Sequence, residues 1–191
     1  MILVYGGSFD PVHRGHVAVL SAARKFLHNP ITYVVPAFNS PGKPKHKASI
    51  AHRLELCELS FPFDVTVSHL ESSMGERMYT CDIMEYFARQ YPKDEICFLM
   101  GSDCLAGFNS WKNAMSMSIN PRFRFAVHKR TRYPLVLSTY IGTDFDAIPG
   151  KPFRWSSTQI RGVLAKGVMA TGIPKDTFNY MRKHRLYGAT L

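Results

Sequence analysis

The sequence is poor in acidic residues and lacks a basic block interleaved with aromatic residues. Of its 191 residues, 14 are Asp or Glu and 24 are Lys or Arg, which gives a formal net charge of +10. Such an excess of positive charge favours polyanionic partners, and a nucleic acid and a triphosphate both qualify. Because no block of Lys and Arg alternates with aromatic residues, a nucleic-acid partner is disfavoured.

Cysteine pairs and long apolar runs are also lacking. No apolar run approaches the roughly 18 residues that cross a membrane, which argues against a membrane protein. No signal peptide is recognisable, so a cytoplasmic location is expected. None of the cysteines forms a C-x-x-C pair or stands at zinc-ligand spacing, so we expect reduced, mostly buried thiols. The cysteines are Cys57, Cys81, Cys97 and Cys104.

What the sequence does contain is an alternation of short apolar runs and helix-like stretches. Strands separated by helices predict an α/β fold with a parallel sheet and right-handed crossovers. We expect one domain over residues 1–191, with ligands bound at the carboxyl ends of the strands. Predicted strands lie at 2–5, 31–35, 64–68, 96–100 and 123–127, and predicted helices at 14–27, 49–59, 80–91 (N-capped by Thr80), from Ser156 or Ser157 to Gly167, and after Pro174.

The most specific motif, GGSFDPVHRGH, occupies Gly6–His16 directly after the first strand. Its two glycines let the backbone approach a ligand closely and point N–H groups at it. His13 and His16 are three residues apart at the start of a helix, so they share a face beside the positive helix end. Two imidazole donors next to backbone amides suit a phosphate whose charge grows during a transfer reaction.

Two further groups of residues have the chemistry of a nucleotide site. Ser157 and Thr158 offer hydroxyl and N–H groups at the start of a helix, and Arg161 adds a guanidinium that matches phosphate geometry. Asp103, two residues beyond Gly101 at the end of the fourth strand, could accept hydrogen bonds from ribose hydroxyls. Trp111 could stack on a flat heterocycle.

These motifs resemble those of a known superfamily. Gly6–His16 is similar to the signature of the H-x-G-H nucleotidyltransferases, and Ser156–Arg161 to their S-S-T-x-I-R motif. The G-x-D…W pattern and the pair Tyr79-Thr80 resemble nicotinate or nicotinamide mononucleotide adenylyltransferases, and the resemblance extends from Ile2 to about Gly188. It implies a Rossmann-like, doubly wound fold with a small helical C-terminal part, and transfer of AMP from ATP to a pyridine mononucleotide with release of pyrophosphate, in NAD biosynthesis.

The resemblance also implies a role for individual residues. Magnesium is expected with ATP, no protein metal site is named, and the oligomeric state is left open. Catalysis falls to His13, His16, Lys43 and Arg161; ATP binding to Gly6, Gly7, Phe9, His16, Gly101, Asp103, Ser157, Thr158 and Arg161; and mononucleotide binding to Ser8, Lys43, Tyr79, Thr80 and Trp111.

The loop after the second strand departs from the family pattern. Many bacterial members have P-P-H-K there, whereas this chain has a Pro/Gly/Lys-rich segment over 36–47. Gly42-Lys43 resembles a G-K variant of the loop, so Lys43 is the favoured phosphate-binding lysine and Lys47 the alternative. The composition suits a loop that closes over phosphates.

Two rival functions remain. A sister transferase, either a pantetheine-phosphate adenylyltransferase or a cytidylyltransferase, would share the fold, although the former usually has T-x-G-H where this chain has His13. A non-catalytic nucleotide-binding protein would not need His13, His16 and Arg161 together.

The remaining expectation is a preference for nicotinate over nicotinamide mononucleotide, because the start of a helix at Thr80 favours an anion.

Overall fold

The computed structural model describes residues 1–39, 45–130, 145–151, 153 and 155–190. Its strands are β1 (Ile2–Gly7), β2 (Ile31–Pro36), β3 (Thr66–Val67), β4 (Ile96–Gly101), β5 (Phe123–His128) and β6 (Phe145–Ile148). Its α-helices are α1 (Arg14–Phe26), α2 (Ile50–Glu58), α3 (Leu70–Met74), α4 (Thr80–Gln90), α5 (Ser102–Leu105), α6 (Ala114–Ile119), α7 (Ser157–Leu164) and α8 (Lys175–Lys183), and short 3-10 helices lie at Phe108–Ser110 and Leu186–Gly188.

Within the described residues the strands form a sheet of six, in the order β3-β2-β1-β4-β5-β6. This is the strand order of a doubly wound Rossmann-type sheet, so the predicted fold class is confirmed. β1, β4, β5 and β6 run parallel. The order reverses at β1 and β4, the place where ligands bind in this fold class, and Gly6 and Gly101 lie at the carboxyl ends of these two strands.

The chain divides into two compact units. The first unit comprises Met1–Gly6, Val19–Tyr33 and Met78–Phe153, and the second comprises Gly7–Ala18, Val34–Arg77 and Arg154–Leu191. The first unit is built around an aromatic cluster of Phe108, Phe125 and Phe145, whose ring centroids are 5.0–5.6 Å apart. The second has Phe9 edge-on to Phe61 at 5.9 Å. One domain over 1–191 stays a prediction.

Capping side chains set the start of two helices where the sequence predicts them. The Ser49 hydroxyl accepts the His52 N–H at the start of α2, 3.3 Å away. At α7 the Ser156 hydroxyl accepts the Gln159 N–H at 3.2 Å, and the Gln159 side-chain carbonyl accepts the Ser156 N–H at 2.9 Å. This reciprocal pair is a capping box, which satisfies two donors that the helix leaves unpaired.

One local prediction was wrong, and one strand was missed. Thr80 is the first residue of α4 and not its N-cap, because the Asp82 carboxylate accepts the N–H of Tyr79, 3.1 Å away, and Tyr79 becomes the cap. Strand β6 was not predicted at all. Its four residues pair with β5 over Phe125–His128, a long-range contact that a short segment does not reveal on its own.

The helices of the described ranges are all too short, or too polar, to cross a lipid bilayer.

Candidate functional site

The two motif histidines lie together in the second unit, with their rings stacked at 3.7 Å between centroids. The His13 ring is buried, and its Nδ1 accepts the Gly15 N–H at 3.1 Å. The Nδ1 of His16 accepts the N–H of His13, also at 3.1 Å. Because each Nδ1 accepts a backbone N–H, each neutral ring carries its proton on Nε2. Both Nε2 atoms are therefore donors.

Phe9 fixes the orientation of His16. Its ring packs edge-on against the His16 ring with 5.1 Å between centroids, and it is fully buried. The backbone of Phe9 has a φ of +45°, an uncommon conformation for a residue with a side chain. Phe9 therefore supports the His16 ring, and its predicted role in ATP binding stays a prediction.

Arg161 lies in the same unit, one turn into α7. Its Nη1 donates to the backbone carbonyl of Asp10 at 2.6 Å, and its Nη2 donates to the Thr158 hydroxyl at 3.2 Å. The Ser157 hydroxyl donates to the Pro11 carbonyl at 2.8 Å. The structure thus brings the S-S-T-x-I-R segment against the turn that follows β1. The Ser157 hydroxyl proton is thus engaged within the protein, and the predicted binding of phosphate by Ser157 stays a prediction.

Arg53 is a structural residue of this site that the sequence reasoning did not single out. Its side chain is 1% exposed, and burial lowers its pKa, although the nearby Asp10 carboxylate opposes that shift. The guanidinium bonds the carbonyls of Ser8, Ala37, Phe38 and Ala48, at 2.7–3.4 Å. One buried cation therefore ties the backbone of the turn after β1 to the two ends of the loop after β2.

Asp10, within the Gly6–His16 motif, was also not assigned a role from the sequence. Its buried carboxylate accepts the N–H of Lys47 at 2.8 Å and that of Ala48 at 3.1 Å. The Tyr187 hydroxyl donates to the same carboxylate at 2.8 Å. The sequence did hold a signal for Asp10. An acidic side chain inside a predicted anion-binding motif would repel the anion, so it indicates a structural role.

Of the two candidate lysines of the loop, only Lys47 lies within the described residues. Lys43 lies outside the described residues, so its predicted role stays a prediction from the sequence. The side chain of Lys47 is exposed, while its backbone N–H is held by Asp10.

In the first unit, Gly101 and Asp103 lie at the end of β4, as predicted. Asp103 pairs with Arg130, with 3.3 Å between Oδ1 and Nε, and Ser102 accepts the N–H of Arg130 at 2.9 Å. A Cβ on Gly101 would lie 2.3 Å from the Asp103 Oδ1, so glycine is required for Asp103 to fold back beside the strand. Arg130, which the sequence reasoning missed, adds a cation beside the expected ribose carboxylate.

Tyr79, Thr80 and Asp82 form the first turn of α4 in the same unit. Lys112 makes an ion pair with Asp82 at 3.0 Å, and its ammonium lies 4.9 Å from the centroid of the Tyr79 ring. Burial opposes ionisation of Asp82, but the hydrogen bonds from Lys112 and Tyr79 outweigh it and lower its pKa. The carboxylate that could offset the positive end of α4 is therefore paired with a cation.

Trp111 precedes Lys112 and is half-buried. Its ring is tilted against Phe108 at 5.4 Å and edge-on to Phe98 at 6.3 Å. The aromatic neighbours hold the indole in one orientation, which is the condition for stacking on a ligand ring. Stacking itself stays a prediction.

Among the described residues, no group of three or more His, Cys, Asp or Glu side chains could hold a metal ion.

Residues 4–163 match the family described as Cytidylyltransferase-like. The chain belongs to this family. The match covers the Gly6–His16 motif, the Gly101 and Asp103 strand end, and α7 as far as Val163, so the chain is a nucleotidyltransferase. The superfamily resemblance seen in the sequence is confirmed.

Curated relatives of the chain are named for one particular nucleotidyltransferase reaction. Three are each named "Probable nicotinate-nucleotide adenylyltransferase". The one from Neisseria gonorrhoeae (strain NCCP11945) is 30% identical, with 96% of both chains covered. The one from Bordetella petrii is 31% identical, with 95% of this chain and 96% of that protein covered. The one from Endomicrobium trichonymphae is 30% identical, with 97% and 98% covered. The likeness to pyridine-mononucleotide adenylyltransferases is thereby confirmed.

Solved structures confirm the fold. The nicotinic acid mononucleotide adenylyltransferase of Plasmodium falciparum complexed with NaAD matches with a TM-score of 0.79, over 97% of this chain and 96% of that one, at 24% identity. The same enzyme complexed with APC matches with a TM-score of 0.73 over the same shares of the chains, at 22% identity.

Proposed function

We propose that this nucleotidyltransferase transfers the adenylyl group of ATP to nicotinate mononucleotide, a step of NAD biosynthesis. The observation that carries the proposal is the arrangement of the second unit, where the stacked pair His13 and His16 and the anchored Arg161 present donors around the turn after β1. This set of donors suits phosphate oxygens. Relatives named for the nicotinate reaction support the choice of acceptor.

The reaction is an in-line displacement at the α-phosphorus of ATP. A phosphate oxygen of the mononucleotide attacks this atom, the bond to the oxygen that bridges the α- and β-phosphates breaks, and pyrophosphate leaves with both electrons of that bond. The nucleophile is already an anion, so no general base is needed. Catalysis then consists of positioning the two phosphates and stabilising the charge that shifts between them.

Most of the predicted residues take a definite part in this scheme. The Nε2–H groups of His13 and His16 donate to the phosphates of ATP, together with the Arg161 guanidinium and a loop lysine. Ser8 and nearby backbone amides orient the incoming phosphate, and Gly7 contributes to ATP binding. In the first unit, the backbone at Gly6 and Gly101 contacts the nucleotide and Asp103 accepts from ribose, while Tyr79, Thr80 and Trp111 bind the pyridine ring.

Magnesium enters with ATP, as a complex of the triphosphate. Mg²⁺ usually keeps several waters and takes few protein ligands, so we assign it no protein ligand. When bound, the ion neutralises part of the phosphate charge. A cytoplasmic location and the oligomeric state stay open to experiment.

A panel of acceptors tests the proposed function. The protein is incubated with ATP, Mg²⁺ and, separately, nicotinate mononucleotide, nicotinamide mononucleotide, phosphopantetheine or glycerol phosphate, with CTP replacing ATP in a parallel series. Pyrophosphate release is the readout. We expect release with ATP and the pyridine mononucleotides; release only with phosphopantetheine, or only with CTP and glycerol phosphate, would move the chain to a sister activity.

Within this panel we expect nicotinate mononucleotide to be preferred over the nicotinamide compound. The two acceptors differ by a carboxylate against a carboxamide, and the start of α4 favours an anion. The pairing of Asp82 with Lys112 removes the negative charge that could cancel this preference. The measurement is kcat/KM for both acceptors at equal ATP and salt. A ratio of about tenfold or more in favour of the amide would refute the preference.

The two loop lysines give a further prediction. We expect Lys43→Ala to lower kcat/KM more than Lys47→Ala, because Gly42-Lys43 resembles a phosphate-binding loop. Lys129→Ala, which removes an exposed cation at the end of β5, serves as the charge-matched control. Steady-state kinetics of the three variants decide it. The reverse order would transfer the role to Lys47, and losses equal to the control would remove both lysines from the reacting phosphates.

A further inference from the structure

The C-terminal turn over Arg185–Gly188 has a backbone that is costly to form. Arg185, Tyr187 and Gly188 all have positive φ, at +51°, +57° and +79°. Residues with side chains seldom adopt this conformation, and they persist in it where the surroundings over-determine it. The turn lies in the second unit, and its main chain approaches α7 so closely that a Cβ on Gly188 would be 3.0 Å from the Ala165 Cα.

The unusual turn directs one side chain inward. The Tyr187 hydroxyl donates to the Asp10 carboxylate at 2.8 Å. Burial, and then the negative charge of Asp10, raise the pKa of Tyr187, so the hydroxyl stays protonated and remains a donor. The predicted nucleotide-binding set does not include Tyr187 or Asp10, yet the strained turn holds them together inside the same unit.

Asp10 connects this turn to groups that the proposed function places on phosphates. Its carboxylate accepts the N–H groups of Lys47 and Ala48, and its backbone carbonyl accepts from Arg161. Three segments far apart in the sequence thus meet at one residue: the loop after β2, the helix α7 and the C-terminal turn. A shift of Asp10 would move the Arg161 guanidinium and the Lys47 backbone together.

We propose that Tyr187 is a positioning residue for the phosphate-binding groups: its hydroxyl holds the Asp10 carboxylate, and Asp10 in turn fixes Arg161 and the backbone of Lys47. The inference rests on the proposed function for its catalytic consequence only. Its structural part, the dependence of the Lys47 and Ala48 amides on the Tyr187 hydroxyl, concerns hydrogen bonds that exist whatever the substrate.

The experiment compares Tyr187→Phe with Tyr180→Phe. Both changes remove one tyrosine hydroxyl from the second unit; that of Tyr180 bonds His52 Nδ1 at 3.0 Å and has no contact with Asp10. We expect Tyr187→Phe to lower kcat about tenfold while KM for both substrates stays within about twofold, because misplaced donors weaken the transition state more than ground-state binding. Tyr180→Phe is expected to keep kcat within about twofold.

Amide hydrogen exchange provides a second readout that does not need activity. We expect exchange at Lys47 and Ala48 to become about tenfold faster in Tyr187→Phe, and to be unchanged in Tyr180→Phe, because only the former loosens their acceptor. Thermal unfolding verifies that both variants are folded.

The outcomes separate the two proposals. A folded Tyr187→Phe protein with wild-type kcat, or with unchanged exchange at both amides, overturns the positioning role. An equal loss of kcat in Tyr180→Phe also overturns it, because the effect would then be a general loosening of the unit. If the wild-type protein makes no dinucleotide, the proposed function fails, and the exchange comparison alone decides the role of Tyr187.

Discussion

Replacing His16 with alanine is expected to lower kcat by about 10²–10³, the usual loss when a transition-state donor is removed. The Nδ1 of His16 accepts the His13 N–H, which leaves Nε2 as the protonated nitrogen of the neutral ring. The edge of Phe9 and the stacked ring of His13 hold that donor in one orientation. The substitution removes the Nε2–H donor and the ring that stacks on His13. Because the donor acts mainly in the transition state, kcat is expected to fall more than KM changes.

Two further variants make this result specific. His16→Gln keeps an N–H donor near the Nε2 position and is expected to recover about tenfold over alanine. His52→Ala removes a histidine of the same unit whose Nδ1 bonds Tyr180, and is expected to stay within about twofold of the wild type. Steady-state kinetics on folded proteins give the comparison. If His16→Ala retains near-normal turnover, His16 does not stabilise the reacting phosphate.

The fold was predictable where the sequence pattern is strong. Strands buried on both faces read as unbroken apolar runs, and every residue over Ile96–Met100 is buried, as the run indicates. β3 is shorter than its alternating pattern predicts, with two residues, Thr66 and Val67, in place of five. β6 escaped prediction because its identity as a strand depends on β5, which lies across the sheet and not nearby in the sequence.

The sequence predicted the motif residues of the candidate site, but not the long-range hydrogen bonds that hold them. Residues at strand and helix ends reveal their chemistry by type and spacing, as with His13 and His16. Asp10 and Tyr187 are separated by 177 positions, and Asp82 and Lys112 by 30, so no local spacing indicates either pair. Hydrogen bonds between such distant residues are products of the tertiary fold, and only the structure shows them.

The buried charge of Arg53 is likewise visible only in the structure. Arg53 is 1% exposed, which a charged side chain tolerates only with hydrogen-bonding partners, and its partners are four backbone carbonyls with no periodic pattern in the sequence. The carbonyls belong to the turn after β1 and to the loop after β2. The ends of the loop that carries the candidate lysines are therefore held by Arg53 and Asp10. These two residues have opposite charges, and both are buried.

Replacing Arg161 with alanine is the other change from which we expect a loss of about 10²–10³ in kcat/KM, measured with ATP as the varied substrate. A guanidinium has five N–H donors in a fixed plane. Arg161 uses Nη1 on the Asp10 carbonyl and Nη2 on the Thr158 hydroxyl, so the protein itself sets the plane of the remaining donors, which the proposed function assigns to phosphate oxygens.

Lysine at position 161 separates the charge of this residue from its geometry. Arg161→Lys keeps the positive charge, but a single ammonium cannot donate to the Asp10 carbonyl and also make two parallel hydrogen bonds to a phosphate. We therefore expect kcat/KM to fall by about 30-fold or more. Arg89→Ala, at an exposed position in the last turn of α4, lowers the net charge by the same unit as Arg161→Ala and is expected to stay within about twofold at equal salt. Full activity in Arg161→Lys would mean that only the charge is needed. A loss in Arg89→Ala as large as in Arg161→Ala would mean that the overall field of the +10 protein, and not the anchored guanidinium, attracts ATP.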